Sequence, residues 1–255
     1  MHIVSPEFYR SRYILLLAAV LSFCFLNGCR QPMTPTMTPA EQWQAKILEA
    51  HGGSRALARI STLVYTGNIA TREDRGTVVL ALSRPQRLRT TMKYLKRSED
   101  RILLGKRGWR DSGGGFEEAV GPSLDAMVFQ YNHLSLPMGL IDNTYKIIYT
   151  EHIIGTKNFP ALELIGAVGP PMTVIIDPET GLIHRVDGKI SAGSREVVMG
   201  VGYEDYREVS GVMVPHRIIN FVNGTAIAES RYVTVAVNAE LEPNSFAVEP
   251  KAVIK

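Results

Sequence analysis

The sequence predicts an α+β fold, mainly β, in which a curved antiparallel sheet carries a few helices against its concave side. Three observations lead there. Segments rich in β-branched and aromatic residues follow one another with short, turn-like joins between them. The series is interrupted once, after Pro122, by a stretch with apolar residues at the three-and-four spacing of a helix. A composition of 45% apolar and 21% charged residues is that of a chain able to bury a core, and it excludes disorder. No internal repeat at the roughly 20 to 50-residue period of solenoids and propellers is visible.

The first segment is not part of that fold. Arg10 and Arg12 precede "YILLLAAVLSFCFL" (residues 13–26), an uncharged run shorter than the roughly 20 residues a helix needs to cross a bilayer. Residues 1–28 therefore read as a secretory leader. The run ends in "LNGC", which resembles the lipobox of bacterial lipoproteins. That resemblance implies cleavage after Gly28 and acylation of Cys29. Cys24 is the poorer candidate, because Phe23 before it is too bulky for a cleavage site.

Without the leader, Cys29 is the one remaining cysteine, so an intrachain disulfide is excluded even in an oxidising compartment. Each buried methylene of an acyl chain adds about 0.8 kcal/mol of membrane affinity, and durable attachment takes more than one chain. The triacyl group implied by the lipobox meets that condition. Arg30 follows, where an aspartate would point to the inner membrane; the expected location is the outer membrane, facing the periplasm. "RQPMTPTMTP" has three prolines and no apolar period, so residues 29–39 read as a stiff tether and 40–255 as the folded domain.

Helix punctuation opens the domain. In "TPAEQWQAKILEAHGG", Thr38 is placed as N-cap, Pro39 at the first helical position, Glu41 three residues after the cap and Gly52 beyond the end. "SRALARI" can form a second short helix from Ser54. Then the period changes to two. Leu63, Tyr65 and Ile69 share one strand face, as do Leu80 and Leu82, and then Leu88, Met92 and Tyr94, with Arg87, Arg89 and Lys93 opposite. "RILLGKRGWR" is a further strand region, and "DSGGGFEE" reads as a hairpin tip, since no lysine or helix start follows to make it a phosphate cradle. In "PSLDAMVFQYNHLSL", Leu124, Met127, Val128, Tyr131 and Leu134 line one side of an amphipathic helix. "YKIIYTEHI" fits either a helix or a strand. Six more strand segments follow, joined by turns such as "DPETG" and "NG", and Pro215 within one of them marks an edge or a bulge.

Net charge is +3, but residues 84–110 hold ten Lys or Arg against only Glu99 and Asp100. Such a segment can meet anionic headgroups or an acidic partner, or its charges can be the solvated outer positions of strands. Export argues against nucleic acid. Catalytic signatures are missing: there is no His-Glu-x-x-His, no Gly-x-Ser-x-Gly, no nucleotide-binding glycine loop and no zinc-binding cysteine pair. His51, His133, His152, His184 and His216 are too scattered for a ligand signature, and the acids of "GYEDYREVSGVMVP" lack metal-ligand spacing. No cofactor or metal is expected, and no enzyme. A curved sheet wider than its own side chains can fill encloses a cavity, which holds acyl chains by burial worth about 25 cal/mol per Å² and needs no short motif.

The order "ILEAHGGSRALARISTLVYTGNI", "RPQRLR", "LLGKRGWRDS", "IIDPETGLIHRV", "GYEDYREVSGVMVPHRI" and "NAELEPNSFAVEP" resembles the outer-membrane lipoprotein-sorting protein superfamily, the LolA/LolB-like proteins. The resemblance implies an unclosed antiparallel β-barrel, a half-barrel of about eleven strands over a few helices. It also implies a hydrophobic cavity for lipid acyl chains or a lipoprotein, with a role in lipid or lipoprotein transport. The same fold also serves envelope-stress sensing through protein contacts, which is the alternative. Alternation nominates Leu63, Tyr65, Ile69, Leu80, Leu82, Leu88, Met92, Trp109, Met127 and Tyr131 for the cavity wall, with the Trp109 indole at its mouth.

Overall fold

The structure, a computed structural model, describes residues 37–248. The expected leader, Cys29 and nearly all of the tether lie outside the described residues. The fold occupies a compact unit that begins at Pro39. Its hydrophobic core is drawn from residues between Ile47 and Val235 of that same unit.

Helix α1 (Pro39–Ala50) starts with Pro39 and has Glu41 in its first turn, where a carboxylate meets the positive end of the helix dipole. It buries Ile47 and Leu48. The helix ends where Gly52 takes a φ of 112°, and a Cβ there would lie 2.4 Å from the Gly211 carbonyl oxygen, so only glycine fits. Helix α2 (Ser54–Leu57) is a single turn that buries Leu57.

Two antiparallel meanders follow. The first is β1 (Thr62–Thr71), β2 (Arg75–Ser83), β3 (Arg87–Tyr94), β4 (Ser98–Leu104), β5 (Arg107–Asp111) and β6 (Glu117–Ala119). The second is β7 (Tyr145–Ile154), β8 (Lys157–Gly166), β9 (Met172–Ile176), β10 (Ile183–Ala192), β11 (Arg195–Val209), β12 (Val212–Val222) and β13 (Thr225–Val237). Helix α3 (Pro122–Leu134) and a 3₁₀ turn (Met138–Leu140) connect them. Pairing of β1 with β13 fuses both into a 13-stranded sheet, β6-β5-β4-β3-β2-β1-β13-β12-β11-β10-β9-β8-β7. The strand number is therefore thirteen rather than about eleven, and "YKIIYTEHI" resolves as strand β7.

The sheet curls. Helix α3 touches β4 and β5 on one side and β10 on the other. In a flat sheet β4 and β10 would be about 34 Å apart, seven strand spacings at roughly 4.8 Å each. A helix is only about 10–12 Å across, so contact with both requires the sheet to wrap around it. Terminal strands β6 and β7 each pair on one side only, which leaves the barrel unclosed. Pro215 sits in the part of β12 with no β13 partner, opposite an irregularity at Asp205 (φ 52°), which joins the edge and bulge explanations.

Candidate ligand-binding cavity

Strand register sorts the inner face into rows. Leu63, Leu82, Leu88, Leu103 and Gly108 face one another across β1 to β5, nearest the core. The next row runs Tyr65, Leu80, Thr90, Arg101 and Arg110. The third runs Gly67, Val78, Met92 and Glu99. Because side chains alternate, these rows share the concave face of the sheet, and at its outer end Arg110 is 46% exposed. The first row stays apolar throughout, whereas the second and third pass from uncharged to charged on crossing from β1 toward β5.

Between this face and the helix is a cavity of about 370 Å³, within the ~300–1,000 Å³ typical of small-molecule sites. Ile69, Val78, Leu80 and Met92 form one wall, and Phe129, His133 and Leu134 of α3 form another. Val201, Ile218 and Tyr232, from β11, β12 and β13, close the far side. Thr90, Glu99 and Arg101 lie in the charged wall, with Tyr94 and Arg97 beside them.

Glu99 is 3% exposed, a carboxylate that burial alone would disfavour. Its Oε1 accepts from Arg101 Nε at 2.7 Å and lies 2.8 Å from Arg110 Nε, while Oε2 is 3.6 Å from Arg97 Nη1. Desolvation pushes the Glu99 pKa up, yet Arg101, Arg110 and Arg97 together hold it below the usual carboxylate range. Arg97 also rests on the Tyr94 ring, 4.5 Å from its centroid. Two polar atoms in the cavity wall, Thr90 Oγ1 and Gln130 Oε1, are buried with no hydrogen-bond partner. Native proteins leave few such atoms, so each calls for an explanation.

The residues singled out by alternation separate into five environments. Ile69, Leu80 and Met92 line the cavity. Leu63 and Tyr65 border a space of about 30 Å³, beside His51 and Tyr203, too small for more than water. Leu82, Leu88 and Met127 are consumed by the core, at 0%, 2% and 4% exposure. Tyr131 opens on a separate groove next to Arg84 and Asp142. Trp109 corrects the expectation of an indole at the mouth. Gly108 is the inward residue, where a Cβ would lie 2.9 Å from Met127 Sδ, so its neighbour Trp109 points to the convex side under the Arg107 guanidinium, 4.9 Å away.

The cavity residues missed include Val78, Thr90, Glu99, Arg101, Phe129, His133 and the contributions of β11 to β13. Thr90 shares the alternating face of Leu88 and Met92, and placing charge on the outside hid Arg101 of β4. The basic segment 84–110 is divided between faces and largely paired: Arg84 with Asp142, Arg89 with Asp100 at 2.6 Å, Arg107 with Glu118 at 2.9 Å, and the inner three with Glu99. In "GYEDYREV", Glu204 pairs with Arg217 and Asp205 with Arg207, which gives those acids structural partners. Among the described residues, no group of three or more His, Cys, Asp or Glu could hold a metal ion.

No protein-family model matches this sequence, and neither does any curated protein. Solved structures do match. A LolA superfamily protein from Nitrosomonas europaea aligns at 15% identity with a TM-score of 0.52, over 82% of this chain and 98% of that one. A DUF1329 family protein from Desulfovibrio piger aligns at 10% identity and a TM-score of 0.54, over 84% and 100%. An outer-membrane lipoprotein-sorting protein domain from Vibrio parahaemolyticus gives 11% identity and a TM-score of 0.49, over 80% and 97%. The chain has a LolA-like fold: a mainly β, unclosed antiparallel sheet over a few helices.

Proposed function

We propose that this protein is a non-enzymatic, lipid-anchored component of the cell envelope that shelters an acyl chain of a lipid or lipidated partner in the cavity between β1–β3, α3 and β11–β13. The observation that carries the reading is an inner face left partly unfilled: about 370 Å³ bounded by Ile69, Val78, Leu80, Met92 and Phe129. Burial of a chain against such walls is favourable by about 25 cal/mol per Å² of apolar surface and demands no catalytic motif. Attachment through acylated Cys29, with residues 29–39 as a tether, would keep the domain near the outer membrane on its periplasmic side. Transport of lipid or lipoprotein toward that membrane is the process this arrangement serves.

Native mass spectrometry of the full-length protein tests both parts, because one spectrum reports the modification at Cys29 and any copurifying lipid. The domain expressed from residue 30, with its own core, should take up the apolar dye N-phenyl-1-naphthylamine with a rise in fluorescence. Val78→Trp, which fills the cavity from an inward position, should abolish uptake while leaving the circular dichroism spectrum intact. Absence of bound lipid together with dye uptake unaffected by Val78→Trp would end the reading.

A further inference from the structure

An acyl chain in biology ends in a polar group, and one end of this cavity is built for charge. Exposure rises along the charged wall, from Glu99 at 3% through Arg101 at 34% to Arg97 at 53%, so the cluster runs from the interior to the rim. The three guanidinium groups offer about five N–H donors each, whereas one carboxylate has roughly four lone-pair sites. Glu99 therefore cannot satisfy Arg97, Arg101 and Arg110; with Glu117 facing Arg110 across the β5–β6 ladder, the two arginines that line the cavity, Arg97 and Arg101, share the single Glu99 carboxylate and keep one positive charge in excess. Thr90, paired across the sheet with Arg101, adds a buried hydroxyl with no partner. Immediately beside these groups begin Met92, Leu80 and Val78, with no further charge on the way to Ile69.

We propose, given that the cavity holds an acyl chain at all, that its occupant is an amphiphile with an anionic head, a carboxylate or a phosphate. The head is seated against Arg101, Arg97 and the Thr90 hydroxyl, and the chain lies along Met92, Leu80, Val78 and Ile69. Guanidinium groups bind either anion through parallel charge-assisted hydrogen bonds, and the partly desolvated setting strengthens them. A cationic head would meet repulsion at the same place, and a neutral alcohol would leave the excess charge unanswered.

Competition for bound N-phenyl-1-naphthylamine by four amphiphiles of one chain length decides the matter: dodecanoate, dodecyl phosphate, dodecanol and dodecyltrimethylammonium, on the domain from residue 30. Both anions should displace the dye at concentrations about ten-fold or more below dodecanol, and the ammonium should be the weakest. The stronger of the two anions identifies the head group, and either order upholds the proposal. Arg97→Gln leaves Glu99 its two closer partners and so should fold. It should shrink the advantage of both anions several-fold without changing dodecanol, as should Thr90→Val to a smaller degree. Equal displacement by dodecanol and the anions, or an anion preference untouched in Arg97→Gln, Thr90→Val and Arg101→Gln alike, overturns the proposal while leaving the acyl-chain reading in place. Failure of all four to displace the dye overturns that reading and the proposal with it.

Discussion

Two buried histidines set a pH limit on this fold. His51 is 2% exposed, and its Nδ1 lies 2.8 Å from the Ile47 carbonyl; since a carbonyl only accepts, that nitrogen carries the proton. His133 is 5% exposed, with Nδ1 2.8 Å from the Tyr203 hydroxyl, which itself donates to the His133 carbonyl at 3.2 Å, so Nδ1 donates here too. Burial lowers the His51 pKa to about 4, against a smaller opposing effect of its backbone hydrogen bond, and the His133 pKa to about 3. The unfolded chain titrates near 6.5 and binds the extra protons first, so stability falls as pH drops below 6.5 and keeps falling toward the folded values. From pH 7 to pH 5 the loss is about 2 kcal/mol for each histidine. Glu99 acts in the same direction only lower down, since its folded pKa is depressed and its contribution fades as pH falls through the carboxylate range. Urea denaturation at pH 7, 6 and 5 should therefore show a steep decline, and His51→Gln or His133→Gln should each remove about half of that slope whatever it does to stability at pH 7. A slope unchanged in both variants would show that these side chains protonate without unfolding.

At the scale of elements, the decisive contact is between α3 and β10. A Cβ on Gly188 would lie 2.6 Å from the Phe129 ring, and Phe129 itself is 1% exposed and 5.1 Å from the His133 ring. The glycine lets the helix settle against the strand at the depth that also fixes the cavity wall. Gly188→Ala should destabilise by about 1–3 kcal/mol through overpacking, and Phe129→Ala by about 3–5 kcal/mol through loss of buried ring. In the double variant the alanine methyl occupies space the ring has vacated, so the two effects should fall well short of adding, which a double-mutant cycle by chemical denaturation measures. Additive losses would place the strain of Gly188→Ala elsewhere. The sequence period identified α3 and its stripe of Leu124, Met127, Val128, Tyr131 and Leu134, but Phe129, Asn132 and His133 are buried as well. A single-stripe reading presumes one wet side, and a helix enclosed by a curled sheet has none over its second half.

At the scale of the molecule, alternation in β1 to β3 paired faces because those strands have one buried and one outward side, as Leu80 and Leu82 do beside the outward Arg75 and Thr77. It could not reveal the cavity, which arises from curvature across many strand spacings, nor the inward arginine of β4, whose placement contradicts the rule that charge faces water. The two open edges of the sheet are what make stability uneven. β1 and β13 stand at the centre of the sheet, bonded on both sides, and tie the first meander to the second. Strands β6 and β7 are bonded on one side each, and β7 exposes Ile153 at 71% and Ile148 at 38%. Backbone groups with one-sided pairing open by fraying, without disrupting the core, whereas the β1–β13 seam opens only when the two meanders separate. Amide hydrogen exchange should therefore be slowest in residues 62–71 and 225–237 and faster by orders of magnitude in 117–119 and 145–154. A ligand that bridges the two meanders across the cavity should slow exchange at Ile69 and Tyr232, on either side of the seam, while leaving β6 and β7 unchanged. Protection of β7 equal to that of β1 would mean that its open edge is covered, and the half-barrel would then have to be treated as closed.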